Sequence, residues 1–164
     1  MSAKDRFFEK YEDSKRKAAE EFEKFGNESF NCKNKIHSLV KEIIGWVSYV
    51  AKDVRCIENK TKVMLHPYLD RTTENLERAV EMEALEIETR YKRLCIVPKA
   101  APGNATQVIA VAYLNENKKS KDLGDVIFEF HLQNNQWVIA DLSTPQNILP
   151  LNEDNFFTAI MPLA

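Results

Sequence analysis

Glu129, His131 and Asp141 are the side chains of this sequence whose types and spacing suit proton transfer. Acid–base chemistry asks only for one or two carboxylates or imidazoles held in an apolar cavity. Glu129 and His131 stand two apart in a stretch of alternating character. They share a strand face with Ile127, opposite Val126, Phe128 and Phe130. Lining a pocket, that face supplies an acid and a base; meeting water, it is the polar side of a half-exposed strand. Asp141 sits at the end of the next strand-like segment. The aromatic residues Tyr91, Tyr113, Phe128 and Phe130 are the expected lining of any pocket.

Other chemistries find less support. Cys32 with His37, and Cys56 with His66, are the candidate metal ligands, but neither spacing matches the close pairs of zinc sites. No metal is expected. There is no G-x-S-x-G elbow, and Cys95 lies in an apolar run where burial would raise its thiol pKa and make it inert. Four glycines in the chain leave no GxGxxG or P-loop cradle, so no cofactor held in that way is expected. The acidic cluster Glu81, Glu83, Glu86 and Glu88 is followed by Arg90, Lys92 and Arg93, which makes a solvated, charge-paired face the expected reading.

The chain of 164 residues is 44% hydrophobic and 29% charged, the balance of a globular rather than a disordered protein. A net charge of -2 gives no electrostatic reason to expect nucleic acid. Three cysteines without a CxxC pair fit a reducing compartment better than a disulfide framework. The densely charged first 30 residues hold no apolar signal-peptide core. No apolar run approaches the roughly 20 residues of a membrane helix. The expectation is a cytoplasmic chain without membrane association.

The elements that must position these residues change period midway. Ser2 and Asp5 resemble a capping box, and a charged helix follows with Phe8, Tyr11, Ala18, Phe22 and Phe25 on three-and-four spacing. Gly26-Asn27 predicts its end. A second helix is predicted from Asn34 to Lys52, with the broader stripe Ile36, Val40, Ile43, Val47 and Val50. Short strands at Val54 to Ile57 and Val63 to Leu65, with a turn at Glu58-Asn59-Lys60, and a third helix from Thr72 or Thr73 carrying Leu76, Ala79 and Val80, complete the first half.

From Ala84 the period is two. Leu85, Ile87, Thr89 and Tyr91 alternate with charged residues, and after a phase slip at Arg93 the run Leu94 to Val97 is wholly apolar. That run is either a bulge or a strand end buried on both faces. Pro102-Gly103 is a turn, and Val108 to Leu114 a central strand whose small side, Ala110 and Ala112, lets a helix approach. Val126 to Leu132 and Gln136 to Leu142 flank Asn134-Asn135, a type I′ hairpin turn. The proline-containing tail cannot form a regular central strand. Asn152 caps a short helix bearing Phe156, Phe157, Ile160 and Met161, to be covered by the chain's own core or by a partner.

The expected fold is α+β: N-terminal helices on a mainly antiparallel C-terminal sheet of four or more strands, in one domain over 1–164. Within it, 1–26 is a charged helix, 34–143 the core and 144–164 an apolar tail. This order, with the closing segment Asn134 to Leu142, resembles the α+β cone of the ketosteroid-isomerase and nuclear-transport-factor superfamily over residues 34–143. The paired tyrosine and aspartate of the isomerases have no counterpart here. The resemblance implies either a pocket enzyme or ligand carrier, or a non-catalytic binding module. A chain so poor in motifs suits the second, with an immunity-type protein neutralising a partner toxin as its most concrete form. A subunit of a larger assembly, or a homodimer formed through the first helix or the tail, is the further alternative.

Overall fold

A single helix, α1, runs from Ala3 to Val47 and sets the frame of the molecule. The computed structural model describes residues 1–65, 78–102, 104–142 and 147–164. Ser2 caps α1 with a full capping box: its hydroxyl accepts from the Asp5 amide, and the Asp5 carboxylate accepts from the Ser2 amide. The predicted stop at Gly26-Asn27 does not occur. A helical glycine costs about 1 kcal/mol relative to alanine, and buried Phe25, Ser29 and Cys32 on either side outweigh that cost. Ser29 satisfies its own buried hydroxyl on the Phe25 carbonyl, 2.8 Å away. The separate helices expected over 1–26 and 34–52 are therefore one, and it ends at Val47 rather than Lys52.

Among the described residues the rest of the fold is a seven-stranded antiparallel sheet in sequential order, open and curved, with a short C-terminal helix. Its strands are β1 (Arg55–Leu65), β2 (Arg78–Glu88), β3 (Arg93–Ala101), β4 (Asn104–Asn115), β5 (Asp125–Gln133), β6 (Gln136–Asp141) and β7 (Ile148–Pro150). β1 is continuous, because Glu58, Asn59 and Lys60 pair with Leu85, Ala84 and Glu83 instead of turning. Ala79 and Val80, expected on a third helix, lie on β2; Thr72, Thr73 and Leu76 lie outside the described residues. β2 ends at Glu88, and Thr89 to Lys92 form a hairpin turn closed by the Thr89 amide on the Lys92 carbonyl. The run Leu94 to Val97 is thus a new strand, covered on both faces: Leu94 and Ile96 join the main core, Cys95 and Val97 a second apolar cluster. Pairing of β3 with β2 stops at Ile96, so Pro98, lacking an amide proton, falls just beyond it.

Ala110 and Ala112 of β4 face the helix in the main core, as their size predicts, while Ile109, Val111 and Tyr113 form the second cluster with Cys95. Asn134 and Asn135 have φ of 51° and 61°, the left-handed pair a type I′ turn requires. Asn152 caps α2 (Glu153–Ala159), accepting from the Asn155 amide at 2.8 Å. The tail's Phe156, Ile160 and Leu163 are buried in the chain's own core, whereas Met161 is exposed. Pro150 closes β7 at the sheet edge.

Candidate functional site

Phe8, Tyr11, Lys15, Ala18, Phe22 and Phe25 follow one another at alternating spacings of three and four. The series continues without a break through Ser29, Cys32, Ile36, Leu39 and Ile43. From Phe25 onward the stripe is buried against β2 and β4. Before Phe25, among the described residues only the Arg78 guanidinium approaches it: almost every residue from Ala3 to Lys24 is exposed, Phe7, Phe8, Tyr11 and Phe22 each by more than half. This part of α1 is an arm of roughly 33 Å. Its body-side limit is set by Arg78 of β2, whose guanidinium lies 5.8 Å from the Phe22 ring centroid.

The arm forms as helix for local reasons. Its capping box satisfies the first amides, Lys17 and Arg16 pair with Asp13 and Glu20 on neighbouring turns, and Phe7 stacks on Tyr11. The packed half supplies the costly nucleus, and propagation outward then adds one hydrogen bond per residue. Such pairs contribute only tenths of a kcal/mol each. They explain the helix but not its aromatic stripe, which solvated salt bridges do not need.

The acid–base candidates are divided between the two faces of the sheet. Glu129 pairs with Ala140 and His131 with Val138, on the face away from α1; His131 Nε2 lies 3.8 Å from Glu129 Oε1. Asp141 pairs with Phe128 on the core-facing side, at the sheet's end. It borders a cleft of about 660 Å³ between β5, β6 and β7 and helix α2, with Asn147, Asn155 and Thr158 among its polar residues.

The aromatic candidates are likewise scattered. Phe128 and Phe130 touch edge to face, 5.2 Å between centroids, but both are buried as packing between helix and sheet. Tyr113 lies on the opposite face, where Lys99 donates to its hydroxyl and sits 5.0 Å from its ring centroid. Tyr91 stands exposed at the β2–β3 turn beneath the Arg90 guanidinium.

Comparison with protein-family models, with curated proteins and with solved structures finds no match.

Several of the remaining chemistry-bearing groups are tied into the structure, and His66 lies outside the described residues. Among the described residues no group of three or more His, Cys, Asp or Glu could hold a metal, and no helix is long and apolar enough to cross a membrane. Of the acidic cluster, Glu81 meets Lys60 at 3.5 Å, Glu83 meets His37 at 2.5 Å and Glu86 meets Arg93 at 3.3 Å. Arg93 also donates to the Lys118 and Asp122 carbonyls, holding the β4–β5 loop. Lys41 reaches Glu58 at 2.8 Å, and that hydrogen bond raises its pKa above the ordinary lysine value. Burial pushes the thiols of Cys32, Cys56 and Cys95 upward. The arm was legible as an amphipathic helix; its freedom from the body was not, because a stripe looks the same in sequence whether its own chain covers it or not.

Proposed function

We propose that this chain is a non-catalytic protein-binding module that engages its partner through residues 3–24 of α1. The observation that carries this reading is the arm's aromatic stripe, continuous in phase with the buried stripe and left exposed among the described residues. Contiguous exposed aromatic surface marks interaction sites in folded proteins, and an apolar helix face laid against a partner is a common mode of recognition. The use of Phe128 and Phe130 as core, and the separation of Glu129 and His131 from Asp141, argue in the same direction. An immunity-type protein covering a toxin's active site is the narrowest form of the reading. A cytoplasmic setting suits Cys32, Cys56 and Cys95, which form no disulfide.

The test is affinity capture with the wild-type chain and the double variant F8E/Y11E. A partner held by the first and lost by the second, with unchanged thermal unfolding of the bait, supports the arm as the binding element. Identical captures by both proteins overturn it.

One observation favours a second reading, a ligand carrier or pocket enzyme of the cone superfamily: the cleft bordered by Asp141. Pockets of about 300–1,000 Å³ suit small molecules. A ligand that raises the melting temperature of the wild type but not of D141N would favour this reading over the first.

A further inference from the structure

The arm's own composition points to its occupant. Between Ala3 and Lys24 there are seven basic and seven acidic side chains, so two arms meet without net repulsion. A helix of net charge, by contrast, would call for a partner of opposite sign. The stripe follows a strict heptad, Phe8, Lys15 and Phe22 in one core position and Tyr11, Ala18 and Phe25 in the other. That narrow seam is the pattern of a two-helix coiled coil, whereas a globular partner takes a broader face. The positions flanking the seam hold Phe7, Glu12, Ser14, Ala19 and Glu21, with no block of one sign.

The sheet then decides the direction. Past Phe25 the same stripe lies on β2 and β4, and Arg78 stands over Phe22 where the body begins. A second helix laid parallel along the arm would run into this sheet as it continued toward its own body. It would also set Lys15 against Lys15 in the seam, a like-charge pair. Laid antiparallel, the second arm ends where the first body starts, and each Lys15 faces a tyrosine, alanine or other seam residue of the opposite kind. The resulting interface is isologous and closes at two copies.

We infer that the partner of the arm is a second copy of this chain, the two arms pairing antiparallel with the two bodies at opposite ends. This rests on the arm being the binding element.

The experiment is sedimentation equilibrium of the full chain and of F8E/Y11E, joined with lysine cross-linking of isotope-mixed protein. The expected result is a wild-type dimer, weakened by about 30-fold or more in the variant, with cross-links from Lys4 of one copy to Lys24 of the other. Both substituted residues are exposed, and circular dichroism with thermal unfolding confirms that the variant folds. Cross-links joining Lys4 to Lys4 and Lys24 to Lys24 between copies overturn the antiparallel arrangement. A dimer unmoved by F8E/Y11E overturns pairing through the arm. A wild-type monomer at the highest soluble concentration overturns self-pairing alone; the arm as a site for a different protein is then judged by the capture experiment, whose outcome is independent.

Discussion

The ring of Phe156 stacks on that of Phe130, centroids 6.4 Å apart and planes 24° from parallel. Phe130 comes from the middle of the sheet and Phe156 from a two-turn helix near the end of the chain. Trp46, in the last turn of α1, also packs on Phe156, with ring centroids 5.7 Å apart. One side chain of the tail thus joins the long helix to the sheet. Phe156→Ala is expected to cost about 3–5 kcal/mol of stability, the usual range for a buried phenylalanine. Phe157→Ala, at a half-buried position beside it, should cost clearly less. Urea unfolding of the two variants measures both. Equal, small losses would show that the tail is not part of the cooperative core.

Gly26 offers a gain rather than a loss. It sits inside α1, and an added Cβ would lie 3.1 Å from the Arg78 guanidinium, the mobile end of a long side chain. Gly26→Ala is expected to stabilise the protein by about 0.5–1 kcal/mol through helix propensity. A loss in the same unfolding assay would mean that Arg78 is held too firmly to yield.

Gly124 behaves oppositely. Its φ is +100°, and a Cβ there would come within 2.1 Å of the Leu114 carbonyl oxygen, a backbone atom that cannot move aside. Gly124→Ala should destabilise by well over about 1 kcal/mol. A variant with wild-type stability would contradict the β4–β5 geometry.

The cysteines carry a pH-dependent expectation. Burial raises all three thiol pKa values, so less thiolate is present at neutral pH than for a free cysteine, and the fraction grows as pH rises through and beyond the ordinary thiol range. Cys56 is half-buried while Cys32 and Cys95 are buried. Maleimide or disulfide reagents followed by peptide mass mapping should therefore modify Cys56 first, with all rates increasing with pH. Early labelling of Cys95 would show that the second apolar cluster opens readily.

His37 and Glu83 join α1 to β2 at 2.5 Å, and Lys41 and Glu58 join it to β1. Trp137 adds a third tie from β6, donating its indole N–H to the Lys35 carbonyl at 3.3 Å. The Trp137→Phe substitution removes that donor together with part of the ring's packing on the core, and is expected to cost about 1–3 kcal/mol. Denaturant unfolding monitored by circular dichroism reads it, and an unchanged stability would show that neither the bond nor the indole's packing holds β6 to α1.

Several features were legible because one or two residues dictate them. The alternation of Val126 to Leu132, the Asn134-Asn135 turn, the Asn152 cap and the small face of Ala110 and Ala112 each follow from local dihedral preference, side-chain period or side-chain size. These signals also placed Glu129 and His131 together on one strand face. What they did not convey was which neighbour lies across from each segment. Glu58-Asn59-Lys60 reads as a turn until β2 offers it a partner along its full length, and Ala79 and Val80 read as helix until the same pairing makes them strand. Gly26-Asn27 reads as a stop until the burial of Phe25 and Ser29 carries the helix through.

The candidate site divides in the same way. By itself the sequence determined an α+β chain, a stripe from Phe8 to Phe25 on a charged helix, and a strand presenting Glu129 and His131. Only the tertiary structure decided that Phe128 and Phe130 are core, that Asp141 faces the other side from Glu129, and that among the described residues the stripe is buried from Phe25 onward and exposed before it. Dihedral preference and periodicity act over a few residues. Burial depends on which distant segments pack together, and no single segment encodes that.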